Sequence, residues 1–372
     1  MPRLSDRTRL IASATRRGQG RRPVSPPVER ASTMLSDDPA SMQDSASGPV
    51  YGLDGTSAAR ELRAALADLE GASEAFLVPS GLAAVTVPLL ALLRPGVATH
   101  FHPAGASTSE ILSLCGERTR LLLIESPSSL TFEVVDVPAL AQACKARGVL
   151  TVMDNTWAAG LAFRPLAHGV DVSVQAVTKY AAGHSDLLMG AVAVQDAELA
   201  RAILHAIEDM GWHVSPDDAW LALRGLRTLP LRYDEALTSA LQVAEWLQAR
   251  PEVERVLFPP LPGSVGHDLW RRDYSGGAAL MGIVMKGGDK AAAHTLMRAL
   301  NLFGMGYSWG GFESLITFET PQLSHRLHAP ALPGQLLRLH VGLEDPADLI
   351  ADLESGLEAW RAHQDSNLKP AD

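Results

Sequence analysis

The segments Leu150-Thr151-Val152-Met153-Asp154-Asn155-Thr156 and Val170-Asp171-Val172-Ser173-Val174-Gln175-Ala176-Val177-Thr178-Lys179-Tyr180 decide how this chain folds. Each opens with an apolar, partly β-branched run of strand length and ends on polar or charged residues, the pattern of a buried strand leading into a turn. In an open α/β sheet, ligands bind just beyond the carboxyl ends of the strands, so Asp154 and Lys179 are expected at that edge. A lysine there is desolvated enough to attack an aldehyde, and a carboxylate can keep a pyridine nitrogen protonated so that its ring draws electrons. On spacing alone a second reading stands beside this one, a helix-capping Asp and a solvated Lys.

Outward from this pair the strand-length runs continue at Ala75 to Val78 and Leu121 to Ile124. Helical patterns separate them at Ala58 to Leu69, stopped by Gly71, at Leu82 to Leu93 and at Pro138 to Ala146. Strands alternating with helices predict an α/β domain, a mostly parallel sheet covered by helices on both faces. Ser80-Gly81 opens the Leu82 helix and offers a hydroxyl and bare N–H groups to a phosphate. After Leu237 a long helical pattern through Val243, Trp246 and Leu247 closes before Pro251. The runs beyond it, Val253 to Phe258, Ala279 to Met285, Leu315 to Phe318 and Leu336 to Val341, are joined by helices at Lys290 to Leu300 and Ala347 to Trp360. They predict a smaller C-terminal α+β domain. The expected organisation is an arm at 1–50 without regular structure, a cofactor-binding domain at 51–237, a C-terminal domain at 238–363 and a polar tail at 364–372.

Composition narrows the function. A length of 372 residues with 47% hydrophobic content supports two domains, and a net charge of −10 opposes binding to nucleic-acid phosphates or anionic membranes. A small-molecule substrate is expected. The two cysteines, Cys115 and Cys144, have no metal-ligand spacing, so no metal is expected and a reducing cytoplasm fits. The basic N-terminus lacks the apolar core of a secretory signal, and no apolar run is long enough to span a bilayer.

Further motifs lie in order along the chain: Glu125-Ser126-Pro127-Ser128-Ser129, Asp154-Asn155-Thr156, Gln175 to Tyr180, Gly183-His184-Ser185-Asp186, Arg224-Gly225-Leu226-Arg227-Thr228, Tyr307 to Leu315 and Leu337 to Asp345. Together they resemble the signatures of the Cys/Met-metabolism family of pyridoxal-phosphate (PLP) enzymes, from about Tyr51 to about Leu357. The resemblance implies the fold type I, PLP-dependent transferase-like architecture, with PLP as cofactor. It implies Lys179 as the Schiff-base lysine and proton shuttle, Asp154 on the pyridinium, and Ser80, Gly81, Leu82 and Thr178 at the phosphate. Arg338 would bind the substrate α-carboxylate with its planar fork. Ser308 and Trp309 would line the substrate side, a pair typical of the β-lyase branch. Tyr51 of a neighbouring subunit would complete the catalytic set near the phosphate, in a dimer at least and a homotetramer as in relatives. The implied reaction is β-elimination of L-cystathionine to homocysteine, pyruvate and ammonia.

Four positions depart from that pattern. Between Gly96 and Val97 relatives carry about 25 more residues, the size of a strand and a helix, including the tyrosine that stacks on the PLP ring. Leu53 replaces a phosphate-binding Arg, Ala176 replaces a frequent Ser, and Trp220 replaces a usual Tyr. Two alternatives therefore stand: a γ-acting relative with the same cofactor, and a catalytically silent relative impaired by the shortened segment.

Overall fold

The computed structural model describes residues 4–12, 24–35, 49–93 and 96–368. The remainder of the expected arm and residues 369–372 of the expected tail lie outside the described residues. The elements begin with α1 (Asp6–Ala12), α2 (Ser57–Glu70), β1 (Glu74–Val78), α3 (Gly81–Leu92), α4 (Thr108–Ser113), β2 (Leu121–Glu125), α5 (Val137–Lys145), β3 (Leu150–Asp154), β4 (Val172–Gln175) and β5 (Gly190–Val194). There follow α6 (Ala197–Asp209), α7 (Pro216–Leu226), α8 (Leu229–Gln248), β6 (Val253–Leu257), α9 (His267–Asp273) and β7 (Leu280–Met285). The chain closes with α10 (Lys290–Ala299), β8 (Gly304–Met305), β9 (Leu315–Phe318), α11 (Thr320–Ser324), β10 (Leu336–His340) and α12 (Pro346–Leu368). Two compact units result, Met1–Val97 with Arg120–Ile124 and Lys145–Leu231, and Ala98–Thr119 with Glu125–Cys144 and Arg232–Asp372.

The sheet of the first unit has the order β1-β5-β4-β3-β2. β3 and β4 are parallel, and β5 runs antiparallel to both β4 and β1, so β1, β3 and β4 share one direction. Val192 and Val194 of β5 join Phe76, Val78, Val152, Val172 and Val174 in a core covered by Ala84 and Val87 of α3 and Ile203 and Ile207 of α6. The alternate residues Ala191 and Ala193 are also buried, so both faces of β5 are covered. α2, with Leu62, Leu66 and Leu69 buried, packs against β1, β5 and α7. The predicted α/β architecture is therefore present, with one reversed strand interposed.

In the second unit, β6, β7, β10 and β9 are antiparallel neighbours and β8 adds in parallel at the end. Val243 and Leu247 of α8, Leu296 of α10 and Leu353, Leu357 and Trp360 of α12 share a core with Met281, Ile283, Leu337 and Leu339. This is the smaller α+β arrangement that the mixed runs predict.

Two local expectations need correction. The arm is not irregular throughout, because α1 forms within it and Leu10 is buried. α1 is tied by ion pairs of Arg9 with Asp6 and Asp68, and of Asp6 with Arg164, the last at 2.5 Å. Partners that far along the chain leave no trace in local periodicity. At the other terminus α12 runs on to Leu368, past His363 where the polar tail is expected to begin.

Candidate active site

Three turns of the first unit leave its sheet at one edge. Asp154 ends β3 opposite Val174, so the turn after Gln175 starts beside it. Gly190, which opens the reversed β5, pairs with Val78 at the end of β1, and the Ser80-Gly81 turn follows directly. Two glycines permit this crowding. A Cβ on Gly190 would stand 2.2 Å from the Ser80 carbonyl oxygen, and one on Gly81 would stand 2.5 Å from Ala176 Cβ. Only a bare Cα lets α3 begin against both the sheet and the lysine turn.

Hydrogen bonds fix the same edge. Thr156 donates its N–H (2.9 Å) and its hydroxyl (2.5 Å) to Asp154 Oδ1, and Thr156 Oγ1 accepts the Ala176 N–H at 2.8 Å. The carboxylate turn and the lysine turn are thus joined through one hydroxyl, three residues before Lys179. Burial raises the Asp154 pKa, opposed by the bonds from Thr156 and the Lys179 charge. Thr156 thus engages the carboxylate through Oδ1, and the Lys179 charge acts on it from the adjoining turn.

A second clasp lies beneath the first. Glu70, the last residue of α2, is buried and accepts from Asn155 Nδ2 (3.2 Å), Ser173 Oγ (3.0 Å) and Gln175 Nε2. Its pKa is pushed up by burial, with the three donors pulling it down. Glu70 therefore binds residues from the ends of both β3 and β4. The signal for it was a carboxylate at a helix C-terminus, next to the Gly71 stop, where the helix dipole disfavours negative charge.

The remaining first-unit residues are placed as follows. Ser80 Oγ caps α3 by accepting the Ala83 N–H at 3.1 Å. The N–H groups of Gly81 and Leu82 sit in the first helical turn, where no intrahelical acceptor exists. The Thr178 hydroxyl exchanges bonds with the Met189 backbone, accepting from N–H at 3.0 Å and donating to the carbonyl at 3.1 Å. Tyr51 is half exposed, its N–H bonded to the Asp54 carboxylate. Leu53 is exposed beside it. Trp220 uses its indole N–H to hold the Pro26 carbonyl at 3.0 Å, so the described arm segment lies against its own chain.

The second unit carries the other predicted residues. Arg338, on β10, lies 3.6 Å from buried Glu319 and donates to the Ser308 carbonyl at 3.4 Å. Burial lowers the Arg338 pKa, with the Glu319 charge opposing. Ser308 holds φ of 109°, in the left-handed half of conformational space, next to Trp309.

Residues 7–101 and 94–358 match the sequence pattern of the Cys/Met metabolism PLP-dependent enzymes. The chain belongs to that family. A Cys/Met metabolism enzyme requires PLP, and the edge just described suits it: a buried carboxylate, a lysine in the adjoining turn, and a glycine-cradled helix start. The family match comes in two pieces that meet at residues 94–101, where the shortened segment lies. Among family relatives, the chain is 40% identical to cystathionine beta-lyase of Bordetella avium, with 91% of this chain and 93% of the relative covered. It is 38% identical to cystathionine beta-lyase of Escherichia coli K12, covering 88% and 92%. Its fold matches crystalline cystathionine gamma synthase from Xanthomonas oryzae pv. oryzae in complex with cystathionine, with TM-score 0.86, 31% identity and coverage of 97% and 99%.

Proposed function

We propose that this PLP-dependent carbon–sulfur lyase cleaves the Cβ–S bond of L-cystathionine, releasing homocysteine and aminoacrylate, which one water hydrolyses to pyruvate and ammonia. PLP, when bound, draws the electrons of the broken Cα–H bond into its ring. The Lys179 amine takes that Cα proton and returns it to the departing sulfur. Asp154 would pair with the ring nitrogen and keep it protonated, while Thr156 holds the carboxylate through Oδ1. Gly81 and Leu82 N–H groups, with Ser80, bind the phosphate. Arg338 binds the substrate carboxylate through its fork, and Ser308 and Trp309 line the thioether.

The observation that carries this reading is the Asp154–Thr156–Ala176 link, which brings a buried carboxylate to the lysine turn. Likeness to relatives named cystathionine beta-lyase supports β-cleavage. The structural likeness to a gamma synthase supports a γ-acting alternative, and products tell the two apart. Equal yields of pyruvate and homocysteine from L-cystathionine are expected; cysteine with 2-oxobutyrate would contradict the β-reading. We further infer a cytoplasmic homotetramer in which Tyr51 reaches a neighbour's phosphate; the exposure of Tyr51 supports the contact, and two cysteines outside any disulfide support a reducing compartment. Among the described residues no helix is long and apolar enough to cross a membrane.

A further inference from the structure

Arg338 and His340 lie two apart on β10 and therefore on one face of the strand. Both grip the loop that carries Trp309. Arg338 donates to the Ser308 carbonyl, and the Gly310 N–H donates to His340 Nε2 at 3.0 Å, so the two contacts bracket Trp309. His340 Nδ1 lies 3.2 Å from the Ala279 carbonyl, which can only accept, so the ring proton sits on Nδ1. Nε2 is then the acceptor that Gly310 requires; the Gly311 carbonyl, 3.3 Å from Nε2, finds no proton there. The ring is buried, and burial lowers its pKa to about 4, against the pull of the Gly311 and Ala279 carbonyls and the Glu313 and Glu344 charges.

The loop also stores strain. Ser308 at φ 109° persists only where its surroundings over-determine it. Beyond Gly310 the loop is anchored by Leu343 N–H to the Phe312 carbonyl, by Gly342 N–H to Ser314 Oγ, and by Ser314 to the Glu344 carboxylate. His340 extends that anchoring back to the residue after Trp309.

We propose that His340 is a specificity-determining positioning residue, which holds the Gly310 N–H and thereby sets Ser308 and Trp309 for a thioether amino acid without touching it. This rests on the assignment of Arg338, Ser308 and Trp309 to the substrate side. Two holoenzyme variants separate the role from simple packing. In H340N the shorter amide keeps the Ala279 contact and loses Gly310; in H340Q the longer one reaches Gly310.

H340N is expected to keep the visible band of lysine-bound PLP, with KM for L-cystathionine raised about tenfold and kcat within about threefold. H340Q is expected to bring KM back to within about threefold of the unaltered enzyme. The dissociation constant for L-methionine, read from the shift of the visible band, is expected to follow KM and needs no turnover. An unaltered enzyme that makes no pyruvate defeats the reaction proposed above, whereas the methionine comparison still decides the role of His340. Unchanged binding in H340N, or no recovery in H340Q, overturns that role. Should H340N not fold, H340Q decides alone, with near-normal binding in support and a tenfold loss against.

Discussion

The sheet of the first unit has a dense middle and a thin rim. At the ends of β3 and β4, Thr156 and Glu70 tie Asp154, Asn155, Ser173, Gln175 and Ala176 together, and every residue of β4 is buried. At the rim, β2 alternates buried and open positions, and Leu123 is 38% exposed. The difference teaches that the residues proposed for the chemistry do not take the hydrogen bonds just named from the outer edge. The link from carboxylate to lysine turn is closed by residues of β3, β4 and the turns that follow them.

Substitutions at the two regions can break this contrast. The largest effect is expected for Asp154→Asn, which keeps the shape but not the charge facing the ring nitrogen; kcat should fall by about 100-fold or more, measured with saturating PLP. A variant of near-normal kcat would detach Asp154 from the chemistry. Next comes Glu70→Ala, which removes the buried acceptor of Ser173 and Gln175 and one of the two acceptors of the Asn155 amide. Roughly 4 kcal/mol of stability should be lost in urea unfolding of the PLP-free protein.

A third effect tests the second unit by pH. His340 has its pKa lowered to about 4 from 6.5, so the unfolded chain binds its proton first as pH falls. Its stabilising contribution is complete above pH 6.5 and is lost progressively down to about 4, a span of about 3 kcal/mol at most. H340Q should flatten that part of the stability profile, and an unchanged slope would contradict the buried neutral ring. The smallest effect is expected at the rim, where Leu123→Thr should change stability by no more than about 0.5 kcal/mol. A loss comparable to that of Glu70→Ala would show the rim to be as tightly built as the middle.

Legibility in the sequence follows the same division between local and distant causes. Asp154 and Lys179 were readable because each follows an apolar run of strand length, and Ser80-Gly81 because a capping hydroxyl and a glycine precede an apolar helix. β5 was not singled out: Gly190-Ala191-Val192-Ala193-Val194 is built of small residues, and its importance lies in the close approach of Ser80. α7 escaped although Ser215-Pro216-Asp217-Asp218 is a clear helix start, with Ser215 accepting the Asp217 and Asp218 N–H groups. Glu70 and His340 were hidden for another reason. Each sits within an ordinary amphipathic or apolar pattern, and only folding reveals partners such as Gln175 and Gly310.

The central claim is that Lys179 holds PLP despite the shortened segment after Gly96, and absorbance tests it directly. Purified protein with PLP should show a visible band that borohydride reduction abolishes, leaving the cofactor covalently attached to the peptide containing Lys179, and Lys179→Ala should lack the band. Unaltered protein that shows no such band under excess PLP would contradict the account.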